Sequence, residues 1–226
     1  AGHLLDHETG ILLSALADRC CDAWLSKDSG IWELERQEHY TISKIGCWVA
    51  LDRAARLADV GQLPGHHTER WRSEAADVKR WIDTNCWSEA RGSYTFYSGT
   101  DDLDAAVLLA GRTGFERGPR LASTVEAVVS ELSRGPHLYR YSGMEKEEGA
   151  FVACTFWLVS ALVHVGQVDR ARGLMEEAVR LTNDVGLFSE QIDPLTGEFL
   201  GNFPQGLSHL SLINAAHALG RVGTDS

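Results

Sequence analysis

From Gly149 to Val165 the chain is apolar on nearly every side of a helix, with Phe151-Val152-Ala153-Cys154 leading into Phe156-Trp157-Leu158-Val159. A helix without a polar face has to be buried on most sides. Thr155, Ser160 and His164 interrupt this run, and no apolar run in the chain is long enough to span a bilayer. The segment therefore predicts a central core helix, and the other elements have to cover it.

Those other elements also read as helices. Apolar residues recur every three to four positions from Leu5 to Leu25, and Thr41 to Val60 forms a second helix with Thr41 as N-cap and Gly61 as stop. Thr68 caps a third, with Trp71, Ala75, Val78 and Ile82 on one face. Asp101 to Ala110 is a shorter stretch. Pro119 opens a helix at a favoured first position, and its stripe is Leu121, Val125, Val128 and Leu132. Val168 to Thr182 is amphipathic through Val168, Ala171, Leu174, Met175, Ala178 and Leu181, and a last helix runs from Ser208 to Leu219. This makes about eight helices, expected as antiparallel pairs. Strand signal is confined to Ser93–Tyr97 and to a hairpin turn at Asp193-Pro194-Leu195-Thr196-Gly197. No linker divides residues 1–226, so a single α-helical domain is expected. No fixed-period repeat supports a regular solenoid.

The net charge of −11 argues against nucleic acid or an anionic membrane as partner. The five cysteines, Cys20, Cys21, Cys47, Cys86 and Cys154, show no metal-site spacing. Cys47 and Cys154 read as small core residues, and a reducing, cytoplasmic compartment is expected. Trp48, Trp71, Trp81 and Trp157 are expected to fill the core. No phosphate loop, nucleophile elbow or His/Glu metal pair appears, so neither metal nor cofactor is expected.

Two glutamates, 157 positions apart, lie in loops rich in glycine and aromatic residues. Glu33 follows Gly30-Ile31-Trp32. A carboxyl packed against an indole is partly desolvated, which raises its pKa and suits a general acid. A surface glutamate beside a core tryptophan would read the same way. Glu190 follows Gly186-Leu187-Phe188-Ser189, with Ser189 and Gln191 placed to hold a water or the carboxylate; an ordinary loop glutamate is the alternative. Tyr139-Arg140-Tyr141 sets a cation between aromatics, which suits a sugar or simple stacking. Glu148 precedes the buried helix and could cap it. His209 could donate a hydrogen bond in a site or serve the structure.

In order along the chain stand Ser29-Gly30-Ile31-Trp32-Glu33, His39-Tyr40-Thr41-Ile42-Ser43-Lys44, Leu103-Asp104-Ala105 and Leu138-Tyr139-Arg140-Tyr141. Then come Glu148-Gly149-Ala150-Phe151, Gly186-Leu187-Phe188-Ser189-Glu190, and Leu200-Gly201-Asn202-Phe203-Pro204-Gln205 with Ser208-His209. Through these stretches the chain, from about Gly10 to Leu219, resembles the C-terminal part of glycoside hydrolase family 15, the glucoamylase, glucodextranase and trehalase group. The resemblance implies an all-α toroid of the six-hairpin type, here an incomplete barrel. It implies an inverting, glucoamylase-like hydrolase that releases glucose from α-linked glucosides of the maltose, isomaltose or trehalose type. Glu33 falls on the general acid and Glu190 on the general base. Arg140 matches an arginine that grips the sugar, and Trp32 and Glu148 fall among pocket positions; Tyr141 and His209 join them as substrate-binding candidates. Inversion requires the two carboxyls roughly 6.5–9.5 Å apart.

The chain opens with Ala1 and not Met, and earlier barrel helices of the family have no counterpart in it, so a fragment is expected. An opened barrel would expose apolar helix faces, to be covered by a second copy or a complementary chain. The alternative reading is a helical module that turns over weakly or not at all without a partner or the missing part.

Overall fold

The computed structural model describes residues 5–146 and 148–222. The described residues contain eight α-helices, three small sheets and short 3-10 turns, and fold as two compact units. Of the described residues, the first holds 5–87 and 97–99, the second 88–96, 100–146 and 148–222.

In the first unit α1 (His7–Ala23), α2 (Thr41–Asp59) and α3 (Thr68–Asn85) pack on one another. Asp6 caps α1, its side chain accepting from Thr9 N. The α3 stripe is as read: Trp71, Ala75, Val78 and Ile82 are all buried. Two capping expectations are corrected. Thr41 is the first residue of α2 and Tyr40 takes the cap position without a side-chain bond. Thr68 opens α3, and its hydroxyl donates backwards to the Gly65 carbonyl. Helix α2 ends at Asp59 with Val60 as its C-cap, and Gly61 takes a left-handed φ of 72°, because the turn that stops a helix favours a residue without Cβ. Trp71 fills the core, whereas Trp48 and Trp81 are only half-buried. Cys47, expected in the core, is half-buried too. A stripe read from sequence says which side of a helix is apolar, not how far its neighbours cover it.

The chain enters the second unit near β1 (Trp87–Ser88), which pairs with β2 (Ser93–Tyr94). The expected helix from Asp101 starts later, because Asp104 is extended and caps a 3-10 turn over Ala105–Leu108 that runs into α4 (Leu109–Thr113). Helix α5 (Pro119–Leu132) buries its whole stripe. The ladder of β3 (Ser133–Arg134) and β4 (His137–Leu138) follows.

The apolar run becomes β5 (Ala150–Phe151) followed by α6 (Val152–His164), which is buried from Val152 through Leu162. Against it pack α4, α5, α7 (Val168–Ala178) and α8 (Gly206–Val222). The expected central helix is thus present and covered, but it begins at Val152, so Glu148 does not cap it. Glu147 lies outside the described residues. Between α7 and α8, β6 (Gln191–Ile192) joins β5 and β7 (Phe199–Leu200) in an antiparallel three-stranded sheet. Its β6–β7 turn is the expected Asp193–Gly197 turn, closed by Asp193 Oδ1, which accepts from Leu195 N and Thr196 N. No helix among the described residues is long and apolar enough to cross a membrane.

Candidate active site

Each unit carries one of the two glutamates. In the second unit the start of the buried helix anchors Glu190. Val152, the first residue of α6, has an N–H with no partner inside the helix, and it donates to the Glu190 carbonyl at 3.0 Å. Glu190 N donates to the Asn202 carbonyl at 2.9 Å. The carboxylate is held from the same side: Oε2 accepts from Asn202 N at 2.9 Å and from Asn202 Nδ2 at 2.8 Å. Gly201 makes room for this. Its φ is 71°, and a Cβ there would come within 2.8 Å of Glu190 Oε2. Among the described residues, Oε1 has no hydrogen-bond partner. Glu190 therefore presents one tethered oxygen and one free oxygen.

The adjoining residues form a charged array. Arg140 pairs with Glu148 through Nη2 and Oε1, and Gln191 Nε2 donates to the other Glu148 oxygen at 3.2 Å. The guanidinium carbon lies 5.6 Å from the Tyr141 ring centre and 5.8 Å from that of Phe151, within cation–π range. Tyr141 stacks on Phe96 at 4.7 Å. Strand β5 brings Phe151 opposite Gln191, which is how an arginine loop and a glutamate loop distant in sequence come together.

His209, a candidate for either a substrate contact or a structural role, bonds backbone through both ring nitrogens. Its Nδ1 bonds the Gln205 carbonyl at 2.7 Å, its Nε2 accepts from Phe188 N at 3.3 Å, and its ring meets Phe188 at 5.5 Å. Nε2 thus serves the Glu190 loop and Nδ1 the residue before α8, an arrangement that selects the Nδ1–H tautomer. Ser208 Oγ adds a bond to the Ser189 carbonyl at 2.8 Å, so the first turn of α8 holds the loop at two points.

In the first unit Glu33 is exposed and Trp32 half-buried. Glu33 has a φ of 54° and is, among the described residues, the one non-glycine with positive φ. Such a backbone costs on the order of 1 kcal/mol or more and persists where the surroundings impose it. Two bonds close its loop, Glu33 N to Gly30 O at 3.2 Å and Leu34 N to Ser29 O at 2.8 Å. Asp28, Ser43 and Lys44 support that loop. Asp28 Oδ1 accepts from Gly30 N at 2.8 Å and from Ser43 Oγ at 2.6 Å, and the buried Lys44 lies 3.6 Å from Oδ2. Sequence reasoning gave these three no role. The available signal was a lysine among the apolar residues that open α2, which calls for a buried acidic partner.

The structure thus gathers Arg140, Tyr141, Glu148, Glu190 and His209 in the second unit, and Trp32 and Glu33 in the first.

The chain is 42% identical over 201 residues to a trehalase of Mycolicibacterium smegmatis, covering 85% of this chain and 30% of that protein. It spans only about a third of the length of the curated relatives it matches. Among solved structures, a glycosidase with a glutamate-to-alanine substitution, in complex with glucose, superposes with a TM-score of 0.80 at 15% identity, covering 92% of this chain and 59% of that one. A second solved glycosidase, with a different glutamate replaced by alanine, superposes at 0.77 and 16% identity with the same coverage. These likenesses bear out the helical toroid fold class. Residues 4–217 match the family described as Glycosyl hydrolases family 15, and the chain belongs to that family.

Proposed function

We propose that this chain carries the catalytic pair of an inverting hydrolase of α-linked glucosides, with Glu33 as general acid and Glu190 as general base. The observation that carries the reading is the asymmetric hold on Glu190. Two donors on Oε2 orient the carboxylate, and Oε1, which has no hydrogen-bond partner among the described residues, is left to accept a proton from water. The water oxygen bonds to the anomeric carbon as its proton passes to Oε1. The glycosidic bond breaks on the opposite face, and Glu33 gives its proton to the leaving oxygen. The anomeric configuration is inverted. The left-handed backbone of Glu33 supports its assignment, since such outliers cluster at functional sites. So does spacing: the glutamates replaced in the two solved glycosidases are 157 positions apart, as are Glu33 and Glu190.

Arg140 and Glu148, with Tyr141, form a polar and aromatic surface suited to a glucosyl ring; Trp32 is the aromatic neighbour of the acid. His209 serves this site through the backbone of the Glu190 loop. Trehalose is the first substrate to test, given the trehalase relative. Maltose and isomaltose test the glucoamylase-like reading. Exposed Ile11, Leu12 and Leu16 on α1, and exposed Leu210 and Ile213 on α8, support cover by a second copy or a complementary chain.

The test is glucose release from trehalose, maltose and isomaltose by the chain and by its Glu33→Gln and Glu190→Gln variants, with the released anomer followed by NMR. The expected result is that the attacked ring appears first as β-glucose (from trehalose, with an equal amount of α-glucose from the leaving ring), and that each variant loses roughly 100-fold or more. Full activity in the Glu190→Gln variant would remove Glu190 as base. A folded chain that releases no glucose favours the alternative, a helical module that needs further protein to act.

A further inference from the structure

We propose that Lys44, acting through Asp28, is the positioning residue for Glu33; this rests on the reading of Glu33 as general acid. Lys44 lies in the first turn of α2 with its side chain 2% exposed. Its ammonium donates to the Ser26 carbonyl and faces Asp28 Oδ2 at 3.6 Å. The other Asp28 oxygen accepts from Gly30 N at 2.8 Å and Ser43 Oγ at 2.6 Å. Asp28 also exchanges two backbone bonds with Glu38, each 3.0 Å, which close the ends of the loop.

The loop between those ends has little freedom. Gly30 has a φ of 69°, and a Cβ on it would stand 3.0 Å from the ring of the buried Tyr40, so the backbone lies against that ring. Tyr40 in turn donates from its hydroxyl to the Arg36 carbonyl at 2.8 Å. Three residues beyond Gly30 comes Glu33 in its left-handed conformation.

A buried ammonium loses hydration that its partners only partly return, and an apolar pair in place of both charged groups is often no less stable. The Lys44–Asp28 pair is therefore poorly explained by stability alone. What Lys44 does is hold the entry to a strained turn: it binds the Ser26 carbonyl before the turn and neutralises the carboxylate that grips Gly30 within it. The strain at Glu33 is maintained by this grip, and the grip by Lys44.

Positioning of an acid leaves a mark that a general structural role does not. A general acid matters most when the departing oxygen is strongly basic. Trehalose, whose leaving group is a sugar alkoxide, needs the proton; a 2,4-dinitrophenyl α-glucoside, whose leaving phenolate is stable, needs it far less. The experiment uses the full chain, its Lys44→Met and Asp28→Asn variants, and Glu33→Gln as reference. Amide exchange at Gly30, Glu33 and Leu34 should quicken in Lys44→Met by roughly tenfold, the size of one lost charge-assisted hydrogen bond, with α3 amides unchanged. Asp28→Asn keeps an oxygen for Gly30 and Ser43 and should show a smaller change. Turnover of trehalose by Lys44→Met should fall more than turnover of the aryl glucoside, the pattern also expected of Glu33→Gln. Unchanged exchange in the loop, or equal losses on both substrates where Glu33→Gln shows unequal ones, overturns the proposal. If Glu33→Gln loses both substrates equally, or the chain turns over neither, the acid reading has failed and the exchange data alone judge whether Lys44 holds the loop.

Discussion

Asn202 grips Glu190 Oε2 from two sides, with its backbone N at 2.9 Å and its Nδ2 at 2.8 Å. Directly below, Gly201 leaves no room for a side chain, since a Cβ would lie 2.8 Å from the same oxygen. In Gly201→Ala the carboxylate has to move and a left-handed backbone has to carry a Cβ. A displacement of about 1 Å can cost on the order of 100-fold in rate, and that is the expected loss in kcat on the preferred glucoside. Asn202→Ala keeps the backbone donor and should lose only about tenfold. Steady-state kinetics with a circular dichroism control for the fold checks both.

Arg140 and Glu148 form a pair whose side chains are 17% and 28% exposed. Glu148→Gln should take one charged partner from the half-buried guanidinium. A fully buried pair broken this way costs roughly 3–5 kcal/mol, and partial exposure brings the expectation to about 1–2 kcal/mol. Denaturant unfolding of Glu148→Gln, Arg140→Met and the double variant gives the coupling. If Arg140 also grips the sugar, Arg140→Met should raise KM more than it lowers kcat.

Gly149 is packed against the small sheet that carries Gln191. A Cβ there would meet the Ile192 carbonyl oxygen and Leu200 Cδ1, each at 2.9 Å. Backbone oxygen cannot step aside as a side chain can. Gly149→Ala should therefore part β5 from β6 and cost roughly 1–3 kcal/mol. Gly173, inside α7 with nothing near its Cβ position, is the control. There Gly→Ala should stabilise by about 0.4–1 kcal/mol. Thermal melts of the two variants should shift in opposite directions.

Burial pushes the His137 imidazole below the usual value of 6.5. The same direction holds for His164, through burial and then Arg117 and Arg112, and for His39, through burial and then Lys44 and Lys27. For a histidine depressed in the folded state, the unfolded chain takes up the proton first. Stability is then full above the unfolded pKa and falls as pH drops through it towards the folded one. The melting temperature should decline between about pH 7 and pH 5.5, and His137→Gln should show a shallower decline. A variant curve parallel to the parent's would remove His137 as a contributor.

Much of this molecule was legible in its sequence because helices are written locally. The faces of α3 and α5 were read correctly residue by residue from a spacing of three to four. Pro119 and Gly61 marked a start and a stop through backbone preferences that need no tertiary partner. The hairpin turn at Asp193 was visible for the same reason. Caps were less legible. Thr41 and Thr68 can cap as residue types, but which position precedes the first helical turn depends on how the incoming chain is packed.

The candidate site divides along the same line. Glu33 and Glu190 stood out through their glycine and aromatic neighbours and through motif order. Their supports did not. Asn202 reaches Glu190 only because β6 and β7 pair; Glu148 meets Arg140 because the apolar run opens as the strand β5 and not as a helical turn; Asp28 finds Lys44 across 16 positions of sequence. Strands of two residues carry too little alternation to be predicted, and a charged residue does not name its partner. By itself the sequence determined the helices and the two glutamates, since both are set by neighbours within a few residues. The tertiary structure alone decided which carboxylate oxygen is tethered and which is free, and which loop is strained. Those depend on hydrogen bonds between distant segments, which form only when the chain is folded.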